Sequence, residues 1–293
     1  MIRSRLTVVF LCSFALSVSS AMAFEPLPRG NAVDHAVDQA GLDTAFDQAE
    51  QLGHVRAMVV VRDGHVIGEE HYYGPPETTR QSRSVTKSVR STLIGIAIEE
   101  GFIADGLSAR MVDYLPEHLI PEDPAKHEIT IGHLLTMTSG FEWNEDDDVA
   151  NWLYGPSPIQ AILSRPLAAP PGTQWNYNTA ASHLLSVVLT EASGMGTLEF
   201  ADQYLFEALG ITQRNWLVTG GYPNGGHGLF MRTEDLAKIG WLFVDGGRWN
   251  GEQIISKSWV NRATWPGVRN LGSFGPLTEM HYGWLWWLDR GTG

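Results

Sequence analysis

Two runs of β-forming residues after the apolar start of the chain predict a hairpin. The segment "AMVVVRDGHVIGEEHYYG", residues 57–74, places these runs on either side of Asp63-Gly64. This dipeptide favours the left-handed backbone conformations of a two-residue hairpin turn. Residues 32–53, just before it, have the spacing of an amphipathic helix. The pattern therefore predicts a helix followed by a β-hairpin.

A second helix is predicted over residues 84–100. Its apolar stripe has helical spacing and comprises Val85, Val89, Leu93 and Ile96. Gly101 follows and predicts the end of the helix, because glycine readily adopts the left-handed conformation that often terminates helices. The apolar character of the segment indicates a buried helix.

Residues 106–225 show a helix, loop, helix pattern and predict an inserted lobe that is all helical. Thr130 is a candidate N-cap for "IGHLLTMTSG", since its hydroxyl can accept a hydrogen bond from a free N–H of the first turn. The segments "SPIQAILSR" and "AASHLLSVVLTEASG" are two further predicted helices.

Residues 226–293 predict mixed structure. Thr233 is a candidate N-cap, followed by two acids in the first turn, where the helix dipole favours them. The segment "YGWLWWL", residues 282–288, is apolar at even and odd positions alike, which predicts a central strand covered on both faces. The "DRGTG" that follows is typical of a turn into a partner strand. We therefore expect the given sequence to lack C-terminal strands of its fold.

The first 23 residues predict a cleaved export signal. Arg3 and Arg5 precede the apolar run "LTVVFLCSFALSVSS", and "AMA" supplies the small residues of a cleavage site. The apolar run is too short for a typical membrane-spanning helix. We expect an exported protein, periplasmic or secreted, with no stable membrane anchor.

Composition narrows the chemistry of the mature chain. A net charge of −13 offers little basic surface for displacing counterions from phosphates, so no nucleic-acid partner is expected. The one cysteine, Cys12, lies in the export signal, which leaves no thiol for a disulfide, a nucleophile or a metal ligand. The ten histidines form no H-E-x-x-H motif, and the acid run "NEDDD" at 144–148 is typical of a solvated loop. Neither a metal nor another cofactor is expected.

Lysine occurs at only four positions, and one of them, Lys87, follows Ser84 by three residues. On a helix this spacing places both side chains on one face, about 5–6 Å apart at Cβ. Serine needs a base within hydrogen-bond reach to act as a nucleophile, and a desolvated lysine at a helix N-terminus loses its proton more easily. Arginine stays protonated and could not serve. A serine N-cap beside a solvated lysine is the alternative for these two residues alone.

Tyr177 is the candidate third member of this group. It follows a Pro-Gly loop and precedes a predicted helix in "PPGTQWNYNTAASHLL". Beside a lysine ammonium, a tyrosine is expected to have a lowered pKa and to pass protons between the serine and a leaving group. Packing of an amphipathic ring at a lobe boundary is the alternative.

Seven segments, in order over most of residues 55–288, together resemble the serine hydrolases related to class C β-lactamases and penicillin-binding proteins. They are "VVVRDGHVIGEEHYYG", "SVTKSVRSTLIGIAIEEG", "DYLPEH", "ITIGHLLTMTSG", "PPGTQWNYNTAASHLL", "GGHGLFMRTEDLAKIGWLFVDGGRWNGEQIIS" and "YGWLWWL". This branch includes esterases, D-amino-acid peptidases and 6-aminohexanoate-oligomer hydrolases. The resemblance implies an α+β fold of the β-lactamase/transpeptidase type. An antiparallel sheet flanked by helices is expected from residues 24–105 and 226–293, with the helical lobe 106–225 inserted.

The resemblance implies three catalytic residues, namely Ser84 as the acylated nucleophile, Lys87 as its partner and Tyr177 as the tyrosine of a Y-x-N motif. Asn178 and Thr179 follow, so the asparagine of that motif is absent from its third place. The pattern Y-N-[ST] is more similar to the aminohexanoate-hydrolase and esterase side of the branch than to β-lactamases.

Four residues are implied as substrate-binding candidates: Trp143, Asn178, Thr179 and His227. For Trp143 and His227, packing or loop structure is the simpler interpretation. A third motif strand, which would supply the second oxyanion donor, is expected after residue 288. The "VTGG" at 218–221 comes too early to replace it.

The function implied is hydrolysis of a small carboxylic ester or linear amide through a covalent acyl-serine. Two alternatives stay open. One is β-lactamase or D,D-peptidase activity, and the other is a non-catalytic wall-peptide or ligand-binding homologue, or an inactive fragment. The sequence determines neither the natural substrate nor the oligomeric state.

Overall fold

The computed structural model describes residues 26–290, so the predicted export signal at 1–23 lies outside the described residues. The α-helices of this part are α1 Gln39–Gln51, α2 Thr86–Glu99, α3 Ile131–Leu135, α4 Glu145–Leu153, α5 Pro158–Leu163, α6 Thr179–Ser193, α7 Thr197–Ala201, α8 Thr233–Val244 and α9 Lys257–Ala263. Its strands are β1 Ala57–Arg62, β2 His65–His71, β3 Arg80–Gln81, β4 Arg214–Trp216, β5 Val218–Thr219, β6 Tyr222–Pro223, β7 Leu229–Met231, β8 Arg248–Trp249, β9 Glu252–Gln253, β10 Met280–Tyr282 and β11 Trp287–Asp289. Short 3₁₀ turns connect several of them, including Arg83–Val85 just before α2.

The predicted N-terminal hairpin is confirmed. Strands β1 and β2 pair antiparallel, and both residues of the turn have positive φ, 49° at Asp63 and 76° at Gly64. The helix predicted over 32–53 is divided, because the chain leaves a short 3₁₀ turn through Ala36 at φ 56° and starts α1 anew. Asp38 caps that start, accepting a hydrogen bond from the N–H of Gly41 at 2.9 Å.

Helix α2 lies in the centre of the molecule and packs against α6. The sequence indicated one apolar stripe, but α2 is buried on all sides from Thr86 to Ala97. Leu93 of α2 and Leu184 of α6 are both fully buried. The end of α2 was predicted correctly, since Gly101 follows it in the left-handed conformation at φ 81°.

The segment 106–225 is mostly helical but also contains short strands. The capping role of Thr130 is confirmed, because its hydroxyl accepts the N–H of His133 at 3.2 Å and the His133 ring accepts the N–H of Thr130 in return. Strand β4 and the hairpin β5–β6 fall at the end of the segment, which was expected to be entirely helical. Residues 214–216 form strand β4 because they pair with β7. Strand β7 also pairs with β3, which gives a three-stranded antiparallel sheet.

Two predictions for residues 226–290 are wrong in detail. Helix α8 begins at Thr233 itself, so this threonine is not an N-cap. The segment 282–288 is not one strand, because the chain turns at Gly283–Trp286 and β11 pairs antiparallel with β10. Its apolar residues are covered on two sides without a longer strand, since Trp284 packs on Trp259 and Trp286 on Phe243. Within residues 26–290, the ladders β1–β2 and β10–β11 do not join into the single sheet that was expected.

None of the helices in the described range, 26–290, has the length and apolar character needed to cross a lipid bilayer.

Candidate active site

Ser84 lies in the 3₁₀ turn that precedes α2 and is exposed to a cleft. The turn is joined to β7 by the N–H of Ser82, which donates to the carbonyl oxygen of Leu229 at 2.8 Å. Arg83, just before the serine, has φ 51°, a conformation that costs an arginine about 1 kcal/mol or more. The fold therefore holds a strained turn in place and presents the Ser84 hydroxyl at the cleft.

Lys87 is buried beside Ser84, with a side chain only 1% exposed. Its Nζ lies 3.3 Å from Ser84 Oγ, 2.9 Å from Thr179 Oγ1 and 2.8 Å from the carbonyl oxygen of Gly226. Burial lowers the pKa of Lys87 to about 8, against an opposing effect of the Glu145 charge. The sequence prediction of a desolvated lysine near the serine is thus confirmed in geometry and in the direction of its pKa.

Tyr177 completes the group, since its hydroxyl is near enough to the Ser84 side chain for the serine to lower the pKa of the phenol. The Nζ of Lys87 lies 4.8 Å from the centre of the tyrosine ring, whose other contacts include the stacked ring of Trp287. Burial raises the pKa of Tyr177 by more than the Ser84 hydrogen bond lowers it. The sequence reasoning expected a lowered pKa, and it was wrong because the ring is enclosed by aromatic side chains. At neutral pH the group is a phenol, which can donate a proton.

Thr179 connects Lys87 to an acidic residue that the sequence reasoning missed. The Thr179 hydroxyl donates to Glu145 Oε1, and the Thr179 N–H donates to Glu145 Oε2 at 3.0 Å. Glu145 is the first residue of α4, after the N-cap Asn144. Local spacing does not separate Glu145 from the three acids that follow it, because its partner lies 34 residues away.

The other acids of the 144–148 run are used locally. Asp148 pairs with Arg165 at 2.6 Å, and Asp147 accepts a hydrogen bond from the Asn144 side chain at 2.6 Å. No group of three or more His, Cys, Asp or Glu side chains suited to a metal ion occurs between residues 26 and 290.

Trp143 and Asn178 are buried behind the cleft lining, where Trp143 hydrogen-bonds to Glu145 and Asn178 caps a helix. The Trp143 indole N–H donates to Glu145 Oε2 at 2.7 Å, and the ring itself is buried. Asn178 caps α6, accepting the N–H of Ala181 at 2.8 Å, and it is also buried. Neither residue lines the cleft. Of the four proposed substrate-binding residues, Thr179 and His227 do line it.

His227 lies on the cleft wall after the Gly225–Gly226 loop. The backbone N–H of His227 donates to the side-chain oxygen of Asn224 at 3.0 Å. Its ring Nε2 has no hydrogen-bond partner among the described residues. Burial lowers the pKa of His227, and so do the neighbouring charges of Lys87 and Arg83. The ring is therefore neutral at pH 7.

The Gly225–Gly226 loop packs against the start of α6. A Cβ on Gly226 would lie 2.5 Å from Thr179 Cγ2, so only glycine fits without a shift. On the other side, His183 of α6 holds the loop through the N–H of Gly225. The loop is what brings the Gly226 carbonyl oxygen to Lys87, and the sequence reasoning did not assign it a role.

The cleft above Ser84 has a volume of about 530 Å³. Its lining residues are Gln81, Arg83, Ser84, Glu145, Val149, Ala150, Leu153, Tyr154, Thr179, Leu217, Val218, Thr219 and His227. The apolar ones come from two segments, residues 149–154 at α4 and residues 217–218 at the β4–β5 connection. The expected third motif strand, after residue 288, lies outside the described residues.

Comparison with known proteins finds a family and named relatives to which the chain is similar. The family model described as Beta-lactamase matches residues 42–293. The chain is 26% identical over 258 residues to 6-aminohexanoate-dimer hydrolase of Paenarthrobacter ureafaciens, covering 79% of this chain and 63% of that protein. It is 25% identical to lovastatin esterase of Penicillium rubens, covering 70% of this chain and 60% of that one.

Among solved structures, a penicillin-binding protein homologue from Pyrococcus abyssi superposes with a TM-score of 0.68 at 19% identity, covering 86% of this chain and 65% of that chain. The chain thus spans less than two thirds of each of these three relatives. The fold implied by the sequence resemblance, β-lactamase/transpeptidase-like with helices and antiparallel strands, is confirmed. With a family match over residues 42–293, the chain belongs to the Beta-lactamase family.

Proposed function

We propose that the protein is a serine hydrolase that cleaves a small carboxylic ester or linear amide through an acyl group on Ser84. The observation that carries the proposal is the distance of 3.3 Å between Lys87 Nζ and Ser84 Oγ, with the amine buried. A hydroxyl this close to a desolvated amine has a base for its proton. Burial alone does not single out Lys87, because the amines of Lys126 and Lys238 are also buried and donate to backbone carbonyl oxygens. What supports a base at Lys87 is the hydroxyl of a cleft serine within 3.3 Å of its amine.

In the acylation step, Ser84 Oγ attacks the carbonyl carbon of the substrate and forms the new C–O bond. The serine proton passes to the neutral Lys87 amine. As the tetrahedral intermediate collapses, the Tyr177 phenol protonates the departing alkoxide or amine and regains a proton from the Lys87 ammonium. Each group returns to its starting protonation state, and the acyl group stays on Ser84.

Deacylation uses the same groups with water in place of the alcohol or amine. Water attacks the acyl carbon, gives its proton to the base, and Ser84 leaves with a proton restored to Oγ. No step draws on an external cofactor, and acids, alcohols or amines are the products.

The cleft favours a substrate with an apolar acyl or alcohol portion. Its lining includes the apolar residues Val149 and Leu153 of α4 and Leu217 of the β4–β5 connection, together with Ser84. The relatives named above include one amide hydrolase and one esterase by name. These observations support both bond types, so ester and amide are kept together in the proposal.

A substrate panel with an active-site label tests the proposal. The panel comprises p-nitrophenyl esters, the 6-aminohexanoate dimer and a chromogenic cephalosporin, and the label is a fluorophosphonate. We expect ester or amide turnover and a covalent adduct on Ser84. Ser84→Ala should abolish both, whereas Ser164→Ala, at an exposed serine outside the cleft lining, should change neither. Turnover that survives Ser84→Ala would refute the proposal.

We also propose an exported location on the basis of residues 1–23, with small molecules rather than nucleic acids as partners. Expression of the whole chain with fractionation tests this, since the signal predicts a processed protein outside the cytoplasm.

A further inference from the structure

We infer that Glu145, acting through the Thr179 hydroxyl, fixes the direction in which Lys87 accepts the Ser84 proton. Glu145 is then a positioning residue of the hydrolase. The inference rests on the proposed function, since it concerns the base of that reaction.

The Thr179 hydroxyl has a single proton to donate. Thr179 Oγ1 touches two groups, Glu145 Oε1 and Lys87 Nζ, the latter at 2.9 Å. A carboxylate only accepts hydrogen bonds, so the threonine proton must point to Glu145. Towards Lys87 the hydroxyl can then offer only a lone pair.

The hydrogens of the Lys87 amine are directed by its hydrogen-bond partners. Its other close partner, the Gly226 carbonyl oxygen at 2.8 Å, also only accepts. A neutral amine has two hydrogens, and these two acceptors take both. The amine lone pair therefore faces the remaining neighbour, Ser84 Oγ at 3.3 Å. After proton transfer the third hydrogen of the ammonium points the same way, so this first transfer needs no side-chain rotation; the ammonium turns only for the later return of a proton to Tyr177.

Two hydrogen-bond donors hold Glu145 in this orientation. Its other oxygen, Oε2, accepts from the Trp143 indole at 2.7 Å and from the Thr179 N–H at 3.0 Å. Two donors on Oε2 leave Oε1 for the hydroxyl. Because Glu145 opens α4 whereas Thr179 opens α6, the contact also joins two elements of the helical lobe at the cleft.

Other ionisable groups also surround the amine. Tyr177 lies under Lys87 with its ring centre 4.8 Å from Nζ, while Arg83 and His227 come from the turn before α2 and the loop before β7. Among these groups, Glu145 carries the negative charge that favours the ammonium form of Lys87. Removal of that charge should therefore shift the titration of the base to lower pH.

The variant Glu145→Gln tests the inference with nearly unchanged shape. Two donors meet the Oε2 position, so the glutamine carbonyl oxygen should occupy it and the amide NH₂ should face Thr179. The threonine hydroxyl must then turn and donate to Lys87, which occupies the lone pair. We expect the high-pH plateau of fluorophosphonate labelling at Ser84 to fall about 10- to 100-fold. The midpoint of the pH profile should move down by about one unit.

Asp146→Asn is the matched control, because it removes an equal charge from the next, exposed position of α4. It should leave plateau and midpoint unchanged. Thr179→Ser keeps the hydroxyl and should retain far more of the plateau than Thr179→Val, which removes the hydroxyl and should lose the plateau as Glu145→Gln does. In the Thr179→Val background, Glu145→Gln should add little further loss. If circular dichroism shows that Glu145→Gln is unfolded, the comparison of Thr179→Ser with Thr179→Val still tests the inference.

The inference is overturned by a Glu145→Gln profile identical to the parent, by an equal shift in Asp146→Asn, or by a labelling rate in Thr179→Val equal to that in Thr179→Ser. These results differ from failure of the proposed function. If Ser84→Ala retains turnover, the function is wrong. If Ser84 is labelled but the Glu145 and Thr179 variants show the same labelling profile as the parent, only the positioning role is wrong.

Discussion

The ring of His183 accepts the Gly225 N–H at Nδ1 over 3.0 Å and donates from Nε2 to the Thr219 carbonyl oxygen over 3.0 Å. The two bonds fix the neutral tautomer with hydrogen on Nε2. Because Gly226 follows in the chain and its carbonyl oxygen meets Lys87 at 2.8 Å, this buried histidine supports the environment of the base from outside the cleft.

Stability should therefore depend on acid through His183. Burial lowers its pKa to about 3, against about 6.5 in an unfolded chain. Between these pH values the unfolded state binds a proton that the folded state does not, so the free energy of unfolding falls as pH falls. The slope due to this group approaches about 1.4 kcal/mol per pH unit. His183→Gln should be less stable at pH 7 but show a flatter pH dependence from 6.5 to 3, measured by urea unfolding. Parallel curves for parent and variant would contradict the prediction.

The rate of acylation should rise with pH through about 8. In the proposed mechanism the neutral amine of Lys87 is the base, and burial lowers its pKa to about that value. Initial rates with a p-nitrophenyl ester from pH 6 to 10 measure the midpoint. Lys87→Arg, which keeps a cation but supplies no base, should lower the rate by about 10²- to 10⁴-fold. A flat parent profile across this range would exclude Lys87 as the titrating base.

Tyr177→Phe should affect amides more than activated esters. The variant keeps the ring contacts with Trp175, Tyr282 and Trp287 but loses the proton donor. Nitrophenolate leaves without a proton, whereas an amine cannot. We expect amide or alkyl-ester turnover to fall by about 10²- to 10⁴-fold and nitrophenyl-ester turnover to fall less. The ratio of the two rates is the measurement, and an unchanged ratio would remove Tyr177 from leaving-group protonation.

Gly226→Ala should damage both stability and activity. Its Cβ would come within 2.5 Å of Thr179 Cγ2 and 2.9 Å of the Thr179 carbonyl oxygen. Relief of these contacts moves the carbonyl that accepts from Lys87, and overpacking of this kind costs about 1–3 kcal/mol. Gly240→Ala in α8 is the matched control, because nothing lies within 4 Å of its Cβ and alanine favours a helix by about 0.5–1 kcal/mol. Thermal unfolding and Ser84 labelling should therefore separate the two variants, and equal effects would contradict the packing argument.

Arg90→Met should raise the free energy of unfolding. Arg90 is fully buried, and one of its guanidinium nitrogens donates to Thr197 Oγ1 at 3.0 Å. Its Nε and Nη2 have no hydrogen-bond partner among the described residues, and burial lowers its pKa to about 9. Replacement of a buried, poorly compensated charge by an apolar side chain gains about 1–3 kcal/mol. Chemical denaturation at pH 7 measures the change. A less stable variant would mean that the contact of Arg90 with the Trp216 ring outweighs its desolvation.

Local spacing carried the part of the site that the sequence predicted. Ser84 and Lys87 are one turn apart, so a short motif is enough to bring them together, and the family resemblance placed Tyr177 beside them. The hairpin at Asp63-Gly64 and the cap at Thr130 were predictable for the same reason. In each case the physical cause acts within a few residues.

The missing parts depend on contacts between distant segments. Glu145 belongs to an acid run that was interpreted as a solvated loop, and its partner Thr179 is 34 residues away. The glycine loop at 225–226 carries no charged or nucleophilic group, so only its contact with Lys87 reveals its role. The apolar run at 282–288 also misled, because a tight turn between packed tryptophans hides both faces as well as a long strand would.

The groups that surround Lys87 come from distant segments, and Gly226 is 139 residues from the lysine in the chain. Until the segment carrying Gly226 has docked, the amine is bathed in water and the neighbouring alcohol is as unreactive as any other serine. The proposed reactivity therefore belongs to the closed pocket around this one nitrogen, and no short piece of the polypeptide could supply it.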